Sequence, residues 1–210
     1  MAGSEQDFSE AQAASWYDGK AFSSDWTSWH FPNWAKLLGP WRGVAARVME
    51  IGSWEGRSAL FFLNYLPRSR LVCIDTFAGG EEHQADPNTV AHHLPEIEQR
   101  FDANVAAFKD RIEKIKGPST TALAELGLDG RQFDIAYVDG SHRAVDVYSD
   151  GILTWPLIVH GGLLIFDDYQ WEYMPETLSN PKQGIDSFLR AFEGDYRIVH
   201  HAYQIAVEKI

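Results

Sequence analysis

The chain has 210 residues, 45% of them hydrophobic and 23% charged, and a formal net charge of −12. That length and apolar content suit one globular unit with a proper core and exclude a disordered chain. The acidic balance, with no basic patch to interrupt it, excludes nonspecific binding to nucleic-acid backbones and attraction to anionic membranes.

The amino terminus carries Glu5, Asp7 and Glu10 where a secretory leader would be basic and then apolar. No later apolar run is long enough to span a bilayer, so a soluble, cytoplasmic protein is expected. The lone Cys73 lies in the apolar run Leu71-Val72-Cys73-Ile74 and reads as a small buried hydrophobe without a disulfide partner.

Residues 1–44 form an aromatic-rich preface with Trp16, Tyr17, Phe22, Trp26, Trp29, Phe31, Trp34 and Trp41. It reads as a helical segment that is either a lid over a ligand crevice or a layer completing the core or a homodimer interface. Aromatic side chains serve burial more often than ligand contact, which favours core or interface. From 45 to 210 the pattern changes. An apolar strand ending at Ile51 is followed by helix Ser58–Leu66, strand Arg70–Asp75, helix Pro95–Phe108, strand Ile112–Lys116, and a short helix Ser119–Leu126. Then come strand Phe133–Asp139, helix Arg143–Leu157, a Gly161-Gly162 turn into the buried strand Leu163–Phe166, and helix Ile185–Phe192. Tyr196–His201 and Tyr203–Glu208 lie almost end to end, which permits a hairpin and not a crossover. The predicted class is α/β: a Rossmann-like, seven-stranded, mostly parallel sheet with a final antiparallel strand and helices on both faces.

In such sheets ligands sit beyond the carboxyl ends of the strands. There the first strand opens into Gly52-Ser53-Trp54-Glu55-Gly56-Arg57-Ser58. Gly52 permits a tight turn, Gly56 a close backbone approach, and the following helix start offers N–H groups. The Gly-x-x-x-Gly spacing departs from the dinucleotide Gly-x-Gly-x-x-Gly and favours a smaller nucleoside ligand. Asp75, about twenty residues on, is placed to accept ribose hydroxyl protons, or else to cap a turn. Asp139, Asp167 and Asp168 end neighbouring strands, and a hard cation such as Mg²⁺ would relieve their repulsion. His142 follows as a base or further ligand, its unperturbed pKa being about 6.5. The competing account makes the aspartates turn residues and His142 a helix-start residue. His83, His92 and His93 share no ordered ligand spacing and read as solvated polarity rather than a second metal site.

These residues resemble the class I S-adenosylmethionine-dependent methyltransferases over about residues 45–210. Glu50-x-Gly52-x-x-x-Gly56-x-Ser58 is similar to the first motif of that family, which holds the methionine part of the cofactor. Asp75 matches its acidic ribose ligand, and Gly117-Pro118-Ser119 resembles the Gly-x-Ser segment that approaches adenine. Asp139-Gly140-Ser141-His142 and Asp167-Asp168-Tyr169-Gln170-Trp171 resemble the metal signature of catechol and caffeoyl-coenzyme A O-methyltransferases, with His for Lys and Asp for Asn. Together with Asp75-Thr76-Phe77-x-Gly79-Gly80-x-Glu82-His83 they look closer to the antibiotic sugar O-methyltransferase branch.

The resemblance implies a methyltransferase acting on a hydroxyl of a small molecule. Glu50, Gly52, Ser53, Gly56, Ser58, Asp75, Thr76, Ser119 and Asp139 would bind the cofactor. Asp139, Asp167 and Asp168 would hold Mg²⁺ or another divalent cation, and His142 with Asp139 would be catalytic. Trp54, Tyr169, Trp171 and the segment from Glu172 to Lys182 would shape the acceptor pocket. The alternatives are a metal-independent methyltransferase and a non-catalytic nucleoside-binding protein on the same fold.

Overall fold

A computed structural model of the chain describes residues 8–80, 83, 91–171 and 180–210. Seven strands form one sheet: β1 (Arg47–Ile51), β2 (Arg70–Asp75), β3 (Ile112–Lys116), β4 (Phe133–Val138), β5 (Ile158–Phe166), β6 (Tyr196–His201) and β7 (Ile205–Lys209). Their spatial order is β3-β2-β1-β4-β5-β7-β6. All pairs are parallel until β7, which runs antiparallel to both β5 and β6. The expected seven-stranded, mostly parallel sheet and its antiparallel last strand are therefore present, giving a Rossmann-like fold.

Helices α1 (Glu10–Ser15), α2 (Phe31–Leu38), α3 (Arg57–Tyr65), α4 (Ile97–Val105), α5 (Ser119–Leu128), α6 (Ala144–Thr154) and α7 (Pro181–Ala191) surround it. Side chains alternate across each strand, so the sheet feeds two cores. On one face Val48, Leu71, Cys73, Ile135 and Tyr137 pack with Phe61, Phe62 and Trp34. On the other Met49, Ile51, Val72, Val138 and Phe166 pack with Leu123, Trp155 and Phe188.

Several boundaries differ from the sequence reading, and three of the differences have a clear physical reason. Strand β5 starts at Ile158, because Gly161-Gly162 is a bulge inside it and not a turn before it: Phe133 pairs with Ile158 while Ile135 pairs with Leu163. Gly161 has φ +78°, and a Cβ on Gly162 would lie 2.9 Å from the Val159 carbonyl oxygen, so both positions need glycine. Pro95 falls in a short 3₁₀ segment, Ala91–Glu96, and α4 begins at Ile97. Helix α7 begins at Pro181, four residues before the expected Ile185, using proline's tolerance of the first helical turn.

The aromatic preface divides its labour. Trp34 and Phe31 are buried against Phe61 and Phe62. Trp26 and Trp29 stay 50% and 55% exposed and stand on the wall of the main cavity. The segment is latched down by Glu55, which is fully buried: its Oε2 accepts from Ser23 N at 2.6 Å, and its Oε1 accepts from Arg100 at 3.0 Å. Among the described residues no helix is long and apolar enough to cross a membrane.

Candidate active site

A cavity of about 800 Å³ opens at the carboxyl ends of β1, β2, β4 and β5, the size of a pocket for a small molecule. Its floor is the turn after β1. Gly52 has φ +88°, and a Cβ there would come 1.9 Å from the backbone oxygen of Asp139, so only hydrogen fits. Gly56 begins α3 with φ +82°. Asp75 ties that turn to the end of β2. Its Oδ2 accepts from Trp54 N at 2.7 Å and its Oδ1 from Phe77 N at 2.6 Å, while burial raises its carboxyl above the usual range. Each oxygen keeps a second lone pair for a hydroxyl donor.

Glu50 and Gly56 lie behind the cavity wall, whereas Gly52, Ser53, Ser58, Asp75, Thr76, Ser119, Asp139, Asp167, Asp168 and His142 are all on it. Glu50 is fully buried beneath the turn, with Cys73 Sγ donating to its Oε2 at 3.3 Å. Burial pushes the Glu50 carboxyl up to about 7, partly offset by the hydroxyls of Ser58 and Ser53 and by Cys73. Glu50 Oε1 and Ser53 Oγ are buried without a hydrogen-bond partner among the described residues, and of the two only Ser53, on the cavity wall, is placed for a ligand's polar group to reach.

A raised folded pKa means that the native state binds the proton more tightly than the unfolded chain. The resulting stability is full below the unfolded value near 4.5 and is lost as pH rises through about 7. Urea unfolding at pH 5 and pH 8 should therefore show Glu50→Gln losing less stability than wild type over that interval. The expected difference is on the order of 2–3 kcal/mol. Equal losses would show that Glu50 does not carry the effect.

At the other end of the cavity the three aspartates come together. Tyr137 OH lies 2.9 Å from Asp139 Oδ2 and also contacts Asp167 Oδ2. A phenol has one proton, so two carboxylates on it are short of donors. Burial, then repulsion from Asp167 and Asp168, raises Asp139 well above the carboxylate range, and burial with repulsion from Asp168 raises Asp167. Gln204 Nε2 donates to Asp167 Oδ2 at 2.9 Å while its Oε1 accepts from Trp34 Nε1 at 2.8 Å. His30 Nε2 is 3.6 Å from Asp167 Oδ1. Burial lowers His30 to about 4, so it faces Asp167 as a neutral ring at pH 7.

Asp168, held at φ +59°, accepts from Tyr203 OH at 2.8 Å on Oδ1 and lies 2.9 Å from His142 Nε2 through Oδ2. Trp171 stacks on the His142 ring at 4.2 Å and 13°.

The donor set is therefore hard oxygen, negatively charged and repulsive, which fits a divalent cation in chemistry. As the side chains stand, their oxygens are turned to protein donors, and no group of three His, Cys, Asp or Glu among the described residues has the arrangement of a metal site. Of the histidines, His83 packs against Trp26 and Trp54 and its Nδ1 accepts from Gly80 N, so it is not simply solvated. His93 Nδ1 is 3.1 Å from an Arg100 nitrogen, and the side chain of His92 lies outside the described residues. Of the expected acceptor residues, Trp54 and Trp171 line the cavity. Tyr169 is turned away, its OH on Asp186, and residues 172–179 lie outside those described.

A curated relative, mycinamicin VI 2''-O-methyltransferase of Micromonospora griseorubida, is 25% identical over 154 residues. The match takes in 70% of this chain but only a third of that protein's length. The solved structure of MycE methyltransferase with Mg, SAH and mycinamycin VI superposes with a TM-score of 0.65 at 22% identity, over 97% of this chain and 55% of that one. The O-methyltransferase NovP gives 0.64 at 14% identity, over 86% and 79%. At these identities the structures establish a shared fold. Residues 49–169 match the model described as "Methyltransferase domain", which is more than half of the chain, and the chain belongs to that family.

Proposed function

We propose that this chain transfers a methyl group from S-adenosylmethionine to a hydroxyl of a small molecule at a centre that takes a divalent cation. The observation that carries the reading is one cavity joining two ends. The Gly52 turn and Asp75 face one end, and Asp139, Asp167, Asp168 and His142 face the other. The presence of Mg and SAH in the MycE complex supports it.

When bound, the cofactor would supply an electrophilic methyl group, and a cation held by Asp139, Asp167 and Asp168 would lower the pKa of the acceptor hydroxyl. The protein's own part is positioning and proton removal. Gly52 leaves space over the β1 turn, and Asp75 would accept from the ribose hydroxyls. Asp168, an acceptor when ionised, holds the proton of His142 on Nε2 and makes Nδ1 the basic nitrogen. Trp171 sets the plane of that ring. Exposed Trp26 and Trp29 offer apolar faces to an acceptor ring.

Calorimetric titration should give micromolar binding of S-adenosylhomocysteine and none of NAD; no binding of the former would end this reading. With acceptors in hand, EDTA should abolish turnover and leave S-adenosylhomocysteine binding intact. Turnover indifferent to EDTA would move the function to a metal-independent transfer in which Asp139 and Asp168 contact the acceptor directly.

A further inference from the structure

Asp150, on α6, is a cavity-lining carboxylate that this chemistry leaves unused. It is only 2% exposed. Its one hydrogen bond among the described residues is on Oδ1, from Ser119 Oγ at 2.6 Å. Oδ2 lies beneath the turn after β4, 3.6 Å from where a Cβ on Gly140 would be. Burial, and then repulsion from Asp146, pushes the carboxyl up to about 6 against the pull of Ser119. A desolvated acceptor of this kind is costly unless a ligand brings it an N–H.

Its place in the cavity says which part of a ligand that is. With the ribose on Asp75 and the reacting group towards Asp139, Asp167 and Asp168, the space left runs to Gly117–Thr120 at the end of β3. Ser119 and Asp150, hydrogen-bonded to each other, line that part of the cavity, which on the S-adenosylmethionine reading is the part left for the nucleobase.

We propose that Asp150 reads the nucleobase, its Oδ2 accepting a hydrogen bond from the 6-amino group of adenine while Ser119 holds the carboxylate in place. This rests on the S-adenosylmethionine reading of the cavity. A base with a carbonyl at that position would set oxygen against oxygen and be rejected.

The test compares S-adenosylhomocysteine with its 6-deamino counterpart, which carries hydrogen in place of the amine and so loses a donor without gaining one. Wild type should bind the deamino ligand about 10- to 100-fold more weakly. Asp150→Asn keeps an oxygen for Ser119 and presents an amide donor to the base, so it should weaken S-adenosylhomocysteine and bring the ratio of the two affinities towards one. Ser119→Ala should retain most of the discrimination. Equal binding of the two ligands by wild type, which needs no variant to fold, would overturn the assignment and leave the cofactor reading standing. So would an unchanged ratio in Asp150→Asn. Failure of both ligands to bind wild type would remove the cofactor reading and this inference with it.

Discussion

A Gly52→Ala variant should lose S-adenosylhomocysteine binding by about 100-fold or more and unfold about 2–4 kcal/mol more easily than wild type. The added Cβ would stand 1.9 Å from the Asp139 carbonyl oxygen, 2.4 Å from its carbon and 2.8 Å from Gly140 Cα, all of them backbone. A flexible side chain could move aside, but these atoms are anchored. Gly52 N donates to Ile74 O, and Asp139 N donates to Ile51 O, both at 2.9 Å. One methyl group therefore pushes apart the ends of β1 and β4, and with them the cavity floor and one carboxylate of the reacting end. A φ of +88° adds strain for any residue with a Cβ. Gly56→Ala is the control. It carries a similar φ of +82°, but its nearest neighbours are side-chain atoms of Phe101 and Val105 at 3.1 Å, which can yield by a few tenths of an ångström. It should cost about 1 kcal/mol and leave most of the binding. Urea unfolding and calorimetric titration of both variants separate the cases. Wild-type binding by Gly52→Ala would mean that the turn is not the floor of a cofactor site.

Most strands were legible because short apolar runs stop at a glycine or an aspartate, as at Gly52, Asp75, Asp139 and Asp167. The bounds of β2, β3 and β6 in the structure coincide with those read from the sequence. Gly161-Gly162 was misread for a physical reason: locally the pair signals a turn, and only pairing with β4 makes it a bulge. The acidic residues of the site were found by the same logic, each standing just past an apolar run. The groups that hold them were not. Gln204 and Tyr203 sit in the β6–β7 hairpin and reach Asp167 and Asp168 only because β7 inserts beside β5. His30 and Trp34 come from the aromatic preface, more than a hundred residues away in sequence. Tyr137 alone carried a usable signal. It stands two residues before Asp139, on the same side of its strand by the period of two, and a strand tyrosine below an acidic strand end has a carboxylate within reach. Asp150 carried none, since one aspartate in a helix is an ordinary solvated residue until Ser119 and the cavity close over it.

Substituting His142 by alanine should lower turnover by about 10²- to 10⁴-fold while S-adenosylhomocysteine affinity changes by less than about twofold. The separation follows from the two-ended cavity: the His142 side chain meets Asp168 at the carboxylate end, whereas Asp75 holds the Trp54 and Phe77 amides at the other. The imidazole is held on two sides, by Asp168 Oδ2 at 2.9 Å and by the stacked Trp171 ring at 4.2 Å, so its orientation is set before a substrate arrives. Asp168 is itself fixed by Tyr203 OH at 2.8 Å. Tyr203→Phe should therefore lower turnover much less, about 3- to 10-fold, because it loosens the carboxylate and leaves the base in place. Single-turnover assays with saturating cofactor, paired with titrations, read the two quantities apart. If His142→Ala turns over at the wild-type rate, the proton does not pass through the imidazole, and the burden falls on Asp139, whose carboxyl burial and its two acidic neighbours already push well up. If instead both turnover and cofactor affinity collapse together, the two ends of the cavity are not independent, and the loop from Asp139 to His142 must be counted as part of the cofactor floor that Gly52 completes.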